Sequence, residues 1–233
     1  MALIDNIVAA WKLDEASGNA VDSSWAGLTL TNNWTMPYAT GKLWNAADTS
    51  NGKYLSHSTF LDAGLTAWTC SYWIKTTMSA TAWYIIDKTS TNHMYPFETL
   101  INASNKAQVY INPVNSSWQN AWTSDTSINT WAWFHIIISW DNSWRDSIKM
   151  YINWTLDWSL TTSGNDSWAI WANTLNDFRI GARSDNNFPF TWQIDEVCFW
   201  SRVLTEAERT SLYNWWTGLT YPFASGNFFQ FIM

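Results

Sequence analysis

The sequence predicts an all-β fold, an antiparallel sandwich or barrel of short strands with one short helix near the C-terminus. Stretches of alternating apolar and polar residues recur along the 233-residue chain, separated by turn-forming residues. This regular spacing, with a single convincing helix, is typical of such folds. The predicted strands cover residues 7–13, 28–31, 66–76, 83–87, 106–111, 133–140, 147–152, 156–161, 177–180 and 193–200.

The alternation within the predicted strands indicates where the two cysteines lie. Cys70 falls on the apolar face of its strand, whereas Cys198 alternates with Val197 and Phe199, the pair expected to point inward. Because the two thiols are not expected on the same face, both cysteines are predicted to be free.

The predicted helix, residues 205–213, begins with a capping box. Thr205 offers an N-cap oxygen, and the carboxylate of Glu208 returns to the Thr205 amide from three residues away. The chain contains no repeat of roughly 20–50 residues. It also has no linker rich in proline, glycine or serine, which favours one domain.

The charge of the chain is sparse and acidic, with a formal net charge of −7, 13% charged residues and a pI near 4.7. Nucleic acids and anionic membranes require clustered Lys and Arg, so neither is an expected partner. The chain shows no secretory signal and no apolar stretch long enough for membrane insertion. We expect an extracellular or particle-surface protein.

Tryptophan is unusually frequent, with 21 residues against nine glycines. Several tryptophans stand where a turn requires positive φ; Asn153-Trp154, for example, separates two strand-like segments where Asn-Gly is typical. The strongest candidates for misread glycines are Trp25, Trp34, Trp44, Trp154, Trp158, Trp192, Trp215 and Trp216. Weaker candidates are Trp118, Trp131, Trp144, Trp168 and Trp171.

The energetic cost of these tryptophans leads to a hypothesis about the gene. A non-glycine residue in the left-handed region costs roughly 1–2 kcal/mol, so eight such sites would cost roughly 8–16 kcal/mol. A typical domain is stable by only about 5–15 kcal/mol. The hypothesis is that these residues are glycines, encoded by UGA in a genetic code that reads UGA as glycine. The alternative is an aromatic-rich protein whose loops carry exposed tryptophans.

Five segments of the chain resemble, in order and spacing, landmark segments of one family. They are residues 10–18, 69–75, 133–141, 149–157 and 193–208, of which the last, beginning Gln193-Ile194-Asp195-Glu196-Val197, is the most specific. Together they resemble the laminin-G-like jelly rolls of the concanavalin A-like lectin/glucanase superfamily. The resemblance implies an antiparallel two-sheet jelly-roll domain over residues 1–223, followed by a tail over 224–233.

The resemblance also sorts the tryptophans. Large aromatic residues are usual in the family at Trp11, Trp73, Trp133 and Trp200, which are therefore expected to be genuine. Family glycines are replaced at Trp154, Trp192, Trp215 and Trp216. The comparison thus agrees with turn chemistry about which tryptophans are out of place.

The pattern of carboxylates disfavours catalysis. Hydrolytic relatives carry Glu-x-Asp-x-x-Glu on one strand, and this chain lacks that motif. Asp195 and Glu196 are adjacent and so point to opposite faces, while Glu98 has no partner evident in the sequence. His135 lies in an apolar strand, where a hydrogen-bonded core histidine is expected. We therefore expect a non-enzymatic protein with no catalytic residues.

Calcium is the one cofactor that the resemblance implies. Superfamily members often hold a structural Ca²⁺ with an acidic side chain of the last strand and backbone carbonyls, an all-oxygen set that suits a hard cation. Asp195 is the matching position, and Asp14 is a weaker second ligand. The alternative for Asp195 is a carboxylate that accepts hydrogen bonds from turn amides.

Three loops, 92–99, 112–120 and 184–190, are the candidate ligand-binding edges. They contain four aromatic residues that no change of genetic code would remove: Tyr95, Phe97, Phe188 and Phe190. Such rings either stack on a sugar or pack beneath the loops as part of the core.

Two functions of different classes remain. The first is a non-catalytic recognition or adhesion module that binds a glycan or a surface protein. The second is a structural or decoration protein of a virus particle or secreted assembly, with the apolar tail 224–233 docked on a neighbour or on its own domain. A glucan hydrolase ranks third because the carboxylate motif is missing.

Overall fold

A computed structural model describes residues 2–78, 82–89, 97–111, 120–141, 148–157, 159–160, 174 and 176–223. Strands dominate these ranges, and α1 (Glu206–Tyr213) lies near their C-terminal end. The strands are β1 (Ile7–Trp11), β2 (Thr31–Asn33), β3 (Tyr38–Thr40), β4 (Asn45–Asp48), β5 (Tyr54–His57), β6 (Trp68–Lys75), β7 (Trp83–Asp87), β8 (Glu98–Ile101), β9 (Lys106–Ile111), β10 (Asn120–Ser127), β11 (Trp133–Trp140), β12 (Lys149–Ile152), β13 (Thr155–Leu156), β14 (Ser159–Leu160), β15 (Phe178–Ile180) and β16 (Gln193–Trp200).

The strands form two eight-stranded sheets. The first sheet has the order β13-β12-β11-β6-β16-β4-β3, with β1 also paired to β16. The second sheet has the order β14-β10-β9-β8-β7-β15-β5-β2. All of these strand pairs are antiparallel. The predicted two-sheet jelly-roll sandwich with a short C-terminal helix is confirmed.

The main core lies between the two sheets and is built from aromatic rings. The Trp11 ring is 5.0 Å from that of Phe60 in an edge-on contact and stacks on Phe178 at 5.5 Å. Phe60 in turn contacts Phe199 edge-on at 5.2 Å. Edge-to-face and offset contacts of this kind add stability beyond the apolar area that they bury. They join β1 and β16 of the first sheet to β15 of the second.

The opposite face of the first sheet carries a smaller apolar layer beneath α1. This outer layer consists of Ala10, Ile137, Tyr151, Cys198, Trp200, Leu204, Leu212, Tyr221 and Phe223. The helix above it begins as predicted: the Glu208 amide donates to Oγ1 of Thr205 at 3.3 Å, and the Thr205 amide donates to Oε2 of Glu208 at 2.8 Å. The predicted capping box is confirmed.

The two cysteines lie on opposite faces of the first sheet. Cys70 belongs to the core between the sheets and Cys198 to the outer layer, and both are free and buried. This confirms the prediction made from strand alternation. Within the described ranges, no helix is long and apolar enough to cross a membrane.

Candidate ligand-binding site

Of the three predicted ligand loops, 184–190 is the one that the structure describes in full. It follows β15 and lies against β7, to which two hydrogen bonds fasten it. The Ser184 amide donates to Oδ2 of Asp87 at 2.7 Å, and the Tyr84 amide donates to the Phe188 carbonyl at 3.1 Å. The loop is therefore held on a rigid strand, which is a suitable support for a binding site.

Phe188 is the exposed aromatic residue of this loop. Its side chain is 40% exposed, and its backbone has a φ of 51°. The ring lies 6.1 Å from that of Tyr84, and the guanidinium of Arg183 sits 4.8 Å from the Phe188 ring and 5.2 Å from the Tyr84 ring.

Asp185 completes this group by fixing the guanidinium of Arg183. Arg183 Nε donates to Asp185 Oδ1 at 2.9 Å, and its Nη2 donates to Oδ2. These hydrogen bonds hold the pKa of Asp185 well below its usual range. Tyr84, Arg183, Asp185 and Phe188 are called the Phe188 cluster below. It combines an accessible ring with charged hydrogen-bonding groups.

A depression in the surface adjoins the cluster on the side of Asn186. Its volume is about 540 Å³, and it is lined by Trp34, Thr35, Asn51, Gly52, Lys53 and Asn186. Arg179 Nη1 donates to Asn186 Oδ1 at 2.6 Å and to the Arg183 carbonyl at 2.9 Å. The Arg179 side chain therefore holds Arg183 and Asn186 in place together. The depression and the cluster are therefore connected through Asn186, which lies on the same loop as Asp185 and Phe188.

Two carboxylic acids that the sequence pattern does not pair lie behind the loop. Asp87 on β7 is directly opposite Glu98 on β8, and the side chains are only 0% and 2% exposed. Phe97 faces the core, so alternation places Glu98 on the outward face of the second sheet. The sequence gives no sign of this pair, because its pattern does not predict β8. The register between two strands also depends on tertiary pairing, which the sequence pattern does not reveal.

Burial controls the protonation of this pair. It raises the pKa of Asp87 to about 6, although Oγ1 of Thr89 and the Ser184 amide both donate to this carboxylate. Burial, followed by the charge of Asp87, raises the pKa of Glu98 well above its usual range. Oε2 of Glu98 has no hydrogen-bond partner among the described residues. Both acids are covered, so they do not present a reactive surface to a large substrate.

The structure corrects two of the four predicted ligand-binding aromatics. Phe97 and Phe190 are both 0% exposed. The Phe97 ring contacts Trp68 at 5.2 Å and Phe199 at 5.7 Å, because its side chain is on the face of the second sheet that meets the first. These residues are core, as the alternative interpretation held. Tyr95 lies outside the described residues.

Asp195, the predicted calcium ligand, is a buried carboxylate near one end of β16. Its Oδ2 accepts hydrogen bonds from the amides of Lys42 at 2.8 Å and Leu43 at 3.0 Å. Its Oδ1 is buried without a hydrogen-bond partner in the described part of the chain. Burial, and then the charge of Glu196, raise the pKa of Asp195 well above its usual range. An unpartnered carboxylate oxygen in acidic surroundings fits a cation.

Asp14 lies on the same side of the molecule as Asp195. Its Oδ1 accepts from the Asn45 amide at 3.2 Å, and its charge also raises the pKa of Asp195. Within the described ranges, no group of three His, Cys, Asp or Glu side chains is arranged to hold a metal ion. A calcium ion here would therefore need backbone carbonyls in addition to Asp195 and Asp14.

His135 has the structural role that its strand predicted. It is 2% exposed, its Nε2 is 2.8 Å from Oγ of Ser71, and its ring stacks on Trp73 at 4.6 Å. Burial lowers its pKa to about 3, so the ring is neutral at physiological pH. This side chain belongs to the packing of β6 against β11.

Comparison with known sequences places the chain in a family. Residues 48–208 match the laminin-G-like family of the concanavalin A-like lectin/glucanases superfamily. The chain belongs to this superfamily. No curated protein matches the chain at a significant level.

Solved structures with the same fold include binding domains of toxins and one domain of an enzyme. The binding domain of Paraclostridial Mosquitocidal Protein 1 has a TM-score of 0.68 and 14% identity, over 92% of this chain and 53% of that domain. The botulinum neurotoxin serotype D binding domain has a TM-score of 0.67 and 16% identity, over 91% of this chain and 52% of that domain. This laminin-G-like chain thus spans about half the length of those toxin domains.

A second kind of neighbour is matched along almost its whole length. Domain 4 of AbnA, a GH43 extracellular arabinanase from Geobacillus stearothermophilus solved with arabinotriose, has a TM-score of 0.59 and 21% identity. The match covers 88% of this chain and 97% of that domain. At these identities the likeness to solved structures shows the fold.

Proposed function

We propose that this protein is a non-catalytic recognition module that binds a glycan, or another surface ligand, at the Phe188 cluster. The observation that carries the proposal is Phe188 itself, an exposed ring held with positive φ on a loop fastened to β7. The face of such a ring stacks on the apolar face of a sugar, and neighbouring charged groups pair with its hydroxyls. Arg183 and Asp185 supply those groups.

The comparisons support a binding role of this kind. The toxin domains are described as binding domains, and the arabinanase domain was solved with a bound arabinotriose. The absence of a Glu-x-Asp-x-x-Glu motif and the burial of Asp87 and Glu98 favour binding over hydrolysis.

We also propose a structural calcium ion at Asp195, with Asp14 and backbone carbonyls of the adjacent segment. The buried, unpartnered Oδ1 of Asp195 supports this role. Its Oδ2 already accepts two turn amides, so the ion and these hydrogen bonds would together hold the segment 41–45 against β16.

A glycan array, followed by titration of the best oligosaccharide, tests the binding role. Replacing Phe188 with Ala is expected to weaken binding about fivefold, since a stacking contact of roughly 1 kcal/mol is lost. The matched control is Trp25→Gly, which removes a 91% exposed ring outside the cluster and should leave affinity unchanged.

Three other outcomes would redirect the interpretation. Equal affinity in the wild type and the Phe188→Ala variant would remove the cluster from the site. Release of reducing sugar from a glucan would favour the hydrolase. Failure to bind any glycan, together with ordered self-assembly in solution, would favour the structural protein of a particle.

A further inference from the structure

The backbone divides the tryptophans of this chain into two groups. Of the 16 tryptophans in the described ranges, eight have positive φ and eight do not. The positive values are 74° at Trp25, 61° at Trp34, 56° at Trp44, 65° at Trp131, 71° at Trp154, 112° at Trp192, 50° at Trp215 and 78° at Trp216. This group contains all seven of the strongest sequence candidates that the structure describes, together with Trp131.

Burial divides the same residues in almost the same way. Among the tryptophans with positive φ, Trp25 is 91% exposed and Trp215 is 88% exposed, and none is buried. Among the other eight, Trp11, Trp68, Trp73, Trp122, Trp140 and Trp200 are at most 1% exposed. An apolar ring contributes to stability mainly when it is removed from water. The rings of the tryptophans with positive φ therefore contribute little to the stability of the fold.

The turn between β12 and β13 shows the conflict most directly. Its two central residues, Asn153 and Trp154, both have positive φ, at 51° and 71°. This is the pattern of a type I′ hairpin turn, for which Asn-Gly is the preferred pair. Asn153 fits its position, whereas Trp154 stands where glycine, which has no Cβ, is preferred.

Trp192, immediately before β16, is the most strained member of the group. Its φ of 112° lies beyond the small left-handed region that L-residues occasionally occupy. Only glycine adopts such a conformation readily. Each residue forced into a left-handed conformation shifts the folding equilibrium roughly 5–30-fold toward the unfolded state.

Some of these rings do make contacts at the surface. Trp216 and Trp131 lie 4.5 Å and 4.6 Å from the Nζ atoms of Lys42 and Lys75, and Trp131 contacts Trp192 edge-on at 4.5 Å. Exposed cation–aromatic contacts are weak, and within the described ranges Trp216 and Trp131 are the members of this group that make them. Two such contacts do not offset eight unfavourable backbone conformations.

We propose that the natural chain carries glycine at Trp25, Trp34, Trp44, Trp131, Trp154, Trp192, Trp215 and Trp216, encoded by UGA in a genetic code that reads UGA as glycine. The same explanation covers Trp118, Trp144, Trp158, Trp168 and Trp171, which lie outside the described residues. The natural protein then lacks the exposed indole rings that these eight tryptophans would carry. Glycine at Trp34 also opens one wall of the 540 Å³ depression beside the Phe188 cluster.

The codons of the natural gene test this proposal directly. UGA at the eight positions, with UGG at Trp11, Trp73, Trp133 and Trp200, is the expected result. Peptides from the natural host should show glycine at the same eight positions by mass spectrometry. UGG codons or tryptophan-containing peptides at these positions would overturn the proposal.

Recombinant variants supply a second test that does not depend on the gene. Trp154→Gly should raise Tm by several degrees, because glycine relieves the strain of the type I′ turn. Trp154→Ala removes the same exposed ring but keeps a Cβ, so its gain should be much smaller. Trp73→Gly, in the buried group, should lower Tm sharply. Equal gains for the glycine and alanine variants would show that ring exposure, rather than φ, is the cause.

Discussion

Asp87 and Glu98 face each other across β7 and β8 while both are almost fully buried. Two buried carboxyl groups on directly paired residues cannot both be charged at low cost. Thr89 and the Ser184 amide donate to Asp87, whereas Oε2 of Glu98 has no hydrogen-bond partner among the described residues, so the charged form is better stabilised at Asp87. Asp87 therefore links loop 184–190 to the second sheet through the hydrogen bond that it accepts from the Ser184 amide.

Replacing Asp87 with Asn is expected to reduce the slope of stability against pH between about pH 4 and pH 6. Folding raises the pKa of Asp87 from 3.8 to about 6, so in this range the folded protein holds a proton that the unfolded chain has released. Asp87 therefore makes the free energy of unfolding fall as pH rises through this range, and the raised pKa values of Glu98 and Glu196 act in the same direction. Urea unfolding at three pH values measures the slope.

Asp185→Asn is the matched control for this measurement. The pKa of Asp185 is held below its usual range by Arg183, so its linkage to stability lies below about pH 4. The control should keep the slope of the wild type between pH 4 and pH 6. If Asp87→Asn also keeps that slope, Asp87 does not titrate in this range.

At the scale of single elements, β16 connects most of the features of the molecule. It pairs with β6, β4 and β1, carries Phe199 into the core, and places Cys198 and Trp200 in the outer layer. The register shift between Asp195 and Cys198, with a φ of 50° at Glu196, is a β-bulge that interrupts the alternation of side chains at the two acidic residues. Ile194 and Val197 on either side of them both belong to the main core.

Removal of calcium is expected to lower Tm, and its return is expected to restore it. A ligand at about 100 times its Kd stabilises the folded state by about 2.7 kcal/mol, which is several degrees for a domain of this size. Asp195→Asn should remove the response to calcium. Glu15→Gln is the control, because Glu15 accepts a hydrogen bond from the Val21 amide and lies outside the proposed ligand set. Identical Tm values with calcium and with chelator would contradict the proposal.

The strands also show how far the sequence predicts this fold. Long apolar strands such as β6 and β11 are recognisable because alternation and β-branched residues persist over eight residues. The short strand β3 and the polar strand β10 carry no such signal, and pairing to a neighbour defines them. The same limit applies to the site, where the Asp87 and Glu98 register depends on tertiary pairing.

Over the whole molecule, both ends of the described chain close the outer layer of the first sheet. The indole of Trp200 donates to the Leu3 carbonyl at 2.6 Å, and Arg202 donates to the carbonyls of Ala2 and Asp5 at 2.9 Å. Arg202 also pairs with Glu208 of α1 at 2.7 Å. The outer layer thus depends on contacts at the termini, whereas the main core depends on the association of the two sheets.

The two buried cysteines therefore report on two different opening events. Burial raises the pKa of both thiols, so neither reacts with an alkylating reagent while it is covered. Detachment of α1 and the terminal segments exposes Cys198 alone, whereas Cys70 becomes accessible only when the sheets separate. Alkylation followed by peptide mass spectrometry should therefore modify Cys198 faster than Cys70 in mild denaturant. Equal rates would mean that both layers open in one cooperative step, and the ratio of the rates measures how independently the outer layer unfolds.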